Sequence, residues 1–554
     1  MPGSSVTLAA NHVKPCHAKT AWVWAAAFAA LVIPHLGPGG SLRAATLAVT
    51  TPADSGPGSL RDQVAASSPG DTIVFAISGV IPLNSAISIG NSISILGPGP
   101  SLLAVSGQNV DRVFVITASS VFLSGMTVRD GRIVAPSGTD GGLGQNGMAG
   151  FDAQGGAIYD SGGALTLSNC WFAANQAVAG NGGRGGDNPV GAVFTPGQGG
   201  AGGQASGGAV YGAGSVTAIR CTFSSNRVVG GNGGNGGDNL NAAVGEAGGQ
   251  GGGGGVGACG AVLASDGPYF TLCTFSGNLA AGGNGGNGGD TSAVFIGGTG
   301  GDGNSGECGG FHVSANAQVI SCTVVSNTAY GGQSGAGGAG TPAGPSGNAG
   351  AGSFGGICGY AFACKPQLGN TIVAQNVANV FSNTYAYFED LGYNFLGDDY
   401  YPGPCMGPTT RMGTVASPLD PLLEPLAQNG SGLPTHKPAP FSPVLDAGAS
   451  FSLTTDERGA PRPYDLPNYP NASDGSDIGA FEASQTELAL SVVSNNVVVS
   501  WPAWAGDAIL QCNTNLALDS HWTTDSNQPA VLGDRFYVTS PVGATPRFYR
   551  LVDR

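Results

Sequence analysis

Four acids fall close together in the last third of the chain: Glu389, Asp390, Asp398 and Asp399. Tyr385, Tyr387, Tyr393, Tyr400 and Tyr401 surround them. Paired carboxylates among aromatic rings suit glycoside hydrolysis, where one acid gives a proton and the other serves as base or nucleophile. Asp390, Asp398 and Asp399 are therefore the catalytic set to test if the protein is an enzyme. A lyase would need a basic residue for the sugar proton. Past residue 44 the lysines are Lys365 and Lys437, neither next to these acids in sequence. His436 has no evident Ser or Cys partner. A phosphate loop, a spaced Cys/His zinc set and a nucleophile elbow are all absent.

A second group of acids belongs to glycine-rich strings. Gly233 to Asn241 fits the calcium nonapeptide G-G-x-G-x-D-x-U-x letter for letter, and Gly182 to Val190 fits except at Pro189. That motif works through tandem nine-residue turns that share an ion. Here the copies lie about fifty residues apart, so the tandem geometry is missing. Asp187, Asp238 and Asp290 would hold a hard cation only if their loops stack in line. Solvated loop aspartates are the favoured reading, with no cofactor required and calcium the alternative.

These strings are parts of a repeat. Gly155-Gly156-Ala157-Ile158 precedes Cys170 to Asn175, and Gly207-Gly208-Ala209-Val210 precedes Cys221 to Asn226. Cys259-Gly260-Ala261-Val262 precedes Cys273 to Asn278, and Cys308-Gly309-Gly310-Phe311 precedes Cys322 to Asn327. A decayed copy runs from Cys358-Gly359-Tyr360 to Asn376. A fixed period of this length signals a solenoid whose units bury apolar surface against each other. The strands are three to five residues long, without helices between them, which suits a parallel β-helix. The expected fold is all-β, a right-handed parallel β-helix over residues 45–415 with repeats at about 155–376. Its glycine-rich loops should leave from one side and stack.

In such a stack Asn175, Asn226, Asn278, Asn327 and Asn376 form one column. An amide ladder is favoured over a sugar-binding row. Cys170, Cys221, Cys273 and Cys322 form a second column, and Cys259, Cys308 and Cys358 a third. Coils about 4.8 Å apart bring cysteines within bridging range, but side chains in one column point the same way. Both cysteine columns are expected to be buried thiols, since a free cysteine packs as a small hydrophobe. Cys364, Cys405 and Cys512 lie outside the columns and their state is open. Phe172, Phe223 and Phe275 should stack in the core.

Composition narrows the partners. Charged residues make up 10% of the chain, against roughly a quarter in average proteins, and 41% is hydrophobic. The formal net charge is −15, which disfavours nucleic acid and anionic lipid. Lys14 and Lys19 precede an apolar run from Ala21 to Ile33, and Ala44 and Ala45 follow. Residues 1–44 read as an export signal too short to span a bilayer, with no membrane span after cleavage. The chain turns proline-rich over 416–482, read as a C-terminal cap. Strands lengthen over 487–554, read as a small β-sandwich that could serve in sorting or attachment.

Two resemblances follow from these residues. The pairing of Gly155 to Ile158 with Phe172 to Asn175, and of Gly207 to Val210 with Phe223 to Asn226, resembles the repeats of chlamydial polymorphic outer-membrane proteins. Those are β-helical surface adhesins. Residues 46–482 also resemble exported bacterial β-helix proteins with a choice-of-anchor Q domain. The carrying residues are Gly58 to Arg61, Asp390 to Gly397, Asp420 to Leu423, Asn429-Gly430, Thr435-His436, Ser442 to Gly448, Asp456 to Gly459, Arg462-Pro463 and Asp477 to Glu482. That resemblance implies a pectin-lyase-like fold and an extracellular or surface location in a Gram-negative-type bacterium. It implies no settled activity, and it makes a structural role for Asp390 the simpler one. The chain departs from the family in ending on the small sandwich rather than an apolar anchor. Asn-Thr-Asp, Gly-His-Gly and Arg-Ile-Lys, the signatures of polygalacturonases, are absent. The function expected is an adhesive, matrix-contact or structural rod, with polysaccharide or another surface ligand as partner. The alternative is a polysaccharide-active enzyme.

Overall fold

The computed structural model describes residues 44–241, 245–292, 294–359, 366–398, 406–430, 432–466, 469–484, 488–502, 508–515, 522–532, 535–543 and 545–552. Residues 1–43 of the expected signal segment, Cys364, Lys365, Asp399, Tyr400, Tyr401 and Cys405 lie outside these. Arg43 to Arg554 forms one compact unit. It is nearly all β, with many parallel strands in stacked sheets. Among the described residues the helix is Leu60–Ala66, and no helix is long and apolar enough to cross a membrane. Ser59 caps that helix by accepting the Asp62 N–H at 3.2 Å, while Leu60 and Val64 are buried.

Each repeat follows one path. In the first full one, Ala153–Gln154, Ile158–Asp160, Ala164–Ala173 and Gln176–Val178 are strands. Each pairs in parallel with its counterpart one repeat later: Ala153 with Ala205, Ile158 with Val210, Leu165 with Val216, Phe172 with Phe223, Ala177 with Val228. Pairing continues coil on coil from Thr46–Val49 to Arg411–Met412. Alternation puts Leu165, Leu167, Cys170 and Phe172 inside and the residues between them nearer solvent. The core is therefore made of columns. Phe172 and Phe223 stack with centroids 5.0 Å apart, and Phe223 and Phe275 with centroids 4.8 Å apart.

Two corners bend each coil. Asn169, Arg220, Leu272, Ser321 and Asn370 take φ values of 49–54°, just before the cysteine position. Ala174, Ser225, Gly277, Ser326 and Gln375 take 54–65°, just before the asparagine. Left-handed backbone is costly for residues with a side chain, so it persists where the surroundings over-determine it. Here the asparagine column beside the second corner does so.

The glycine-rich loops form a second stack beside the first. Gly182 N–H bonds to Asn232 O and Gly185 N–H to Asn235 O in the next coil, both at 2.8 Å. Gly183 N–H bonds to Met148 O and Gly186 N–H to Gln145 O, both at 2.8 Å, in the returning limb of the coil before. The pattern repeats at Gly233, Gly234, Gly236 and Gly237. A three-residue period, with bonds to neighbours rather than within the segment, marks chains of the polyproline-II type. Glycine is required at both inner positions because a β-carbon on Gly182 would overlap the Gly200 carbonyl, and one on Gly183 the Thr139 carbonyl. The result is a two-layered slab with a backbone interior. The last coil omits the loop, passing straight from Val377 to Val380.

Residues 416–482 do not sit only at the end of the stack, where a cap was expected. They run back along its flank as a strap. Thr222 Oγ1 donates to Pro434 O and to Glu457 Oε1, each at 2.9 Å, and Arg220 Nε donates to Glu457 O at 3.0 Å. Ala480 N–H donates to Thr323 Oγ1 at 3.0 Å. Buried pairs brace the strap: Arg458 with Asp456 at 2.8 Å and Arg462 with Glu482 at 2.7 Å. Beyond it, a four-stranded and a three-stranded antiparallel sheet share a core of Val499, Trp501, Leu510 and Val538.

Candidate functional site

Of the tyrosine-flanked acids, Asp399 lies outside the described residues, and Asp390 and Asp398 bond to different partners. Strand Glu389–Gly392 carries Asp390 on the flank of the last coils. Its Oδ1 accepts Gly392 N–H and Asn394 Nδ2, each at 2.7 Å. Its Oδ2 accepts Gly407 N–H at 2.6 Å and Thr410 Oγ1 at 2.8 Å. A carboxylate so occupied organises a turn. Glu389 is exposed and accepts Gln367 Nε2 at 3.0 Å.

Asp398 lies elsewhere, at the end of the asparagine column. Asn175 Nδ2 donates to Asn226 Oδ1 at 2.9 Å, Asn226 to Asn278 at 2.9 Å, Asn278 to Asn327 at 2.8 Å and Asn327 to Asn376 at 2.9 Å. Each Oδ1 also accepts the backbone N–H of the preceding member, as Asn226 Oδ1 does from Asn175 at 3.1 Å. The other Nδ2 hydrogen goes to a core carbonyl, such as Phe172 O at 3.0 Å from Asn226. These buried amides leave no bond unmade. Asn376 then donates to Asn383 at 2.9 Å, and Asn383 to the Asp398 carboxylate. Asn383 escaped the sequence reading because it comes seven residues after Asn376 rather than about fifty. The missing loop brings it there. Burial pushes the Asp398 carboxyl up. It lines a cavity of about 290 Å³ with Gln375 and Asp420.

The loop aspartates do line up, as caps. Asp187 Oδ1 accepts Asp238 N–H at 2.8 Å, Asp238 accepts Asp290 N–H at 2.8 Å, and Asp290 accepts Ala339 N–H at 2.7 Å. Arg184 reaches Asp187 at 2.6 Å and Asp238 at 2.9 Å. A hydrogen bond to Arg184 holds the Asp187 carboxyl below its usual range. The guanidinium thus supplies the positive charge a cation would bring. Among the described residues no group of His, Cys, Asp or Glu is arranged to hold a metal ion. In front of Arg184 and the acids, the exposed amides Asn232, Asn235, Asn284 and Asn287 form rows. Asn232 Oδ1 accepts Asn284 N–H and Asn235 Oδ1 accepts Asn287 N–H, each at 2.9 Å. A shallow groove of about 340 Å³ crosses this face.

Cys170, Cys221, Cys273 and Cys322 are free and buried. Burial pushes the Cys170, Cys221 and Cys273 thiols well up. The other cysteine column needs correction: Cys308 and Cys358 form a disulfide, with Cα atoms 5.4 Å apart, and Cys259 alone stays free. The expectation misaligned the fifth repeat. Cys308 N–H bonds to Ser353 O and Gly309 N–H to Phe354 O, so Phe354 continues the column. Its φ of 64° matches the 65° of Cys259 and 55° of Cys308. Cys358 instead pairs with His312 on the adjoining strand. It therefore approaches Cys308 from a neighbouring column, which removes the parallel-vector objection. Cys259, Cys308 and Cys358 line a cavity of about 600 Å³ with Glu307 and His312.

His436 has a serine partner after all. Ser276 Oγ lies 2.9 Å from Nε2, and Glu424 O lies 2.8 Å from Nδ1. A carbonyl at Nδ1 requires a proton there, so Nε2 accepts the serine hydroxyl. Both residues are buried, and the contact clasps the strap to the stack. A separation of 160 residues left no sequence signal for it. No protein-family model matches the chain, and no curated protein matches it.

Proposed function

We propose that the stacked coils close into a right-handed parallel β-helix, and that the protein is an exported cell-surface or extracellular rod for adhesion or matrix contact. The observation that carries this reading is the slab face. Asn232, Asn235, Asn284 and Asn287 are each fixed through Oδ1 to the next coil, which leaves their Nδ2 groups toward solvent. Along a loop such side chains recur every three residues, about 9 Å at 3.1 Å per residue; across loops they recur about every 4.8 Å. A rigid, regular, weakly charged array of donors and acceptors suits an extended hydroxyl-rich polymer. The resemblance to β-helical adhesins supports the same reading. A glycan array paired with turnover assays on pectin and alginate tests it. Binding without turnover, weakened in Asn235→Ala/Asn287→Ala, is the expected result. Silence on every glycan overturns the polysaccharide partner.

A second reading, a polysaccharide-active enzyme, draws on the raised Asp398 carboxyl in its cavity with Asp420. Turnover that disappears in Asp398→Asn/Asp399→Asn would favour it.

A further inference from the structure

Six apolar side chains stand uncovered at the outer ends of three of the slab's loops. Val190 and Val193 are 80% and 86% exposed, and Val294 is 68% exposed. Phe194, Leu240 and Ile296 are exposed beside them. These six come from three consecutive coils. Their loop ends are stacked, since Asn188 pairs with Asn239, and Asn239 with Thr291, as parallel bridges. Asn188 Nδ2 donates to Asn239 Oδ1 at 2.9 Å beneath the apolar rim, and both residues are buried. Residues 188–196 and 291–297 carry no charge, and residues 239–247 carry only Glu246.

We propose that this rim inserts into the surface of a lipid layer with zwitterionic headgroups. Three observations select that occupant. The rim spans three coils at about 4.8 Å spacing, a few hundred Å² at most, against about 800 Å² per partner in a stable protein interface. A lipid layer needs no matching surface, whereas a second copy or another protein does. The chain's net charge of −15 and the absence of Lys and Arg at the rim repel anionic headgroups. Finally, several backbone groups at the rim are bonded internally, which lowers the cost of leaving water. Ala192 N–H donates to Pro189 O at 3.0 Å, Phe194 N–H to Asn188 Oδ1 at 3.3 Å, and Thr291 Oγ1 to Phe295 O at 2.7 Å.

The test is sedimentation of the full chain with phosphatidylcholine vesicles. Parent and variants share the apolar run from Ala21 to Ile33, so differences between them report the rim alone. The parent should bind. Val190→Asp/Val193→Asp should lower the partition coefficient on the order of a hundredfold, with thermal unfolding unchanged because both side chains are exposed. Val190→Thr/Val193→Thr keeps the shape and should lower it about tenfold, which preserves the test if the aspartates disturb folding. Equal binding by parent and variants overturns the proposal, as does no binding by the parent or binding only when anionic lipid is added. Rim-dependent self-association without vesicle binding overturns it in favour of a second copy. Glycan binding by the slab face can fail without touching this outcome.

Discussion

Two stacks share the same coils and hold them together by opposite means. In the first, side chains stack inside the parallel ladders: the Phe172, Phe223 and Phe275 rings, the buried thiols and the amide column. In the second, the interior sits coil on coil through backbone, with glycines there so that nothing intervenes, and only its exposed edge adds the Asn and Asp side-chain oxygens that accept N–H groups of the next coil. Register is kept in both. The first stack encodes it in which side chain occupies a position, the second in which positions have none. Sensitivity to substitution should therefore invert between them, with the first suffering when atoms are removed and the second when atoms are added.

The largest effect expected is in the first stack. Phe223 is fully buried between two rings, so Phe223→Ala opens a cavity and should cost about 3–5 kcal/mol by chemical denaturation. In the slab, Gly234→Ala adds one methyl group where the neighbour is the Gly183 carbonyl. Backbone cannot rotate away, so a cost of about 1–3 kcal/mol is expected. A neutral Gly234→Ala would break the comparison, because it would mean the slab interior has slack.

How far each stack could be read from the chain follows from the same difference. The columns were legible because Cys, Phe and Asn recur at constant offsets in the first three repeats, and Cys and Asn in the fourth. The fifth repeat was misread because Cys358-Gly359 imitates Cys308-Gly309, while the true counterpart, Phe354-Gly355-Gly356-Ile357, keeps the glycines and loses the cysteine. In the loops the informative period was three, visible as Asn-Gly-Gly-Asn-Gly-Gly-Asp, and the nine-residue calcium pattern overlays it by chance of composition. The strap had no periodicity at all. Its partners in the middle coils, Thr323 and Arg220 among them, lie 157 and 237 residues away, and polar contacts over such distances leave no local trace. Ser276 and Asn383 were missed for that reason and for the shortened last coil.

The strap offers a sharper test, since its groups titrate in opposite senses. Burial lowers the His436 pKa, although the Glu424 carbonyl opposes it. The folded state then resists protonation, so stability is full above the ordinary histidine value and falls as pH drops below it. Burial raises the Glu457 carboxyl well up, against its bonds from Thr274 and Thr222, with Asp456 raising it and Arg220 lowering it further. That contribution is full below the ordinary glutamate value and is lost as pH rises toward the folded pKa. His436→Gln should flatten the acid side of a plot of Tm against pH, and Glu457→Gln the neutral side. Both slopes surviving in both variants would show that the strap does not limit stability.

The smallest effect compares one residue type in the two stacks. Asn226 and Asn235 both accept, through Oδ1, the backbone N–H of an adjoining coil, at 3.1 Å from Asn175 and 2.9 Å from Asn287. Asn226 is wholly buried, so Asn226→Ala strands donors and acceptors on both sides and should cost about 1–3 kcal/mol. Asn235 is exposed, and water can replace its oxygen. Asn235→Ala should therefore change stability by only about 0.5 kcal/mol. A larger loss at Asn235 would mean that the exposed amides hold the slab together rather than simply being displayed by it. In that case the array could not be altered for ligand binding without loosening the loops, and the glycan test would need Asn235→Asp, which keeps the accepting oxygen, in place of alanine.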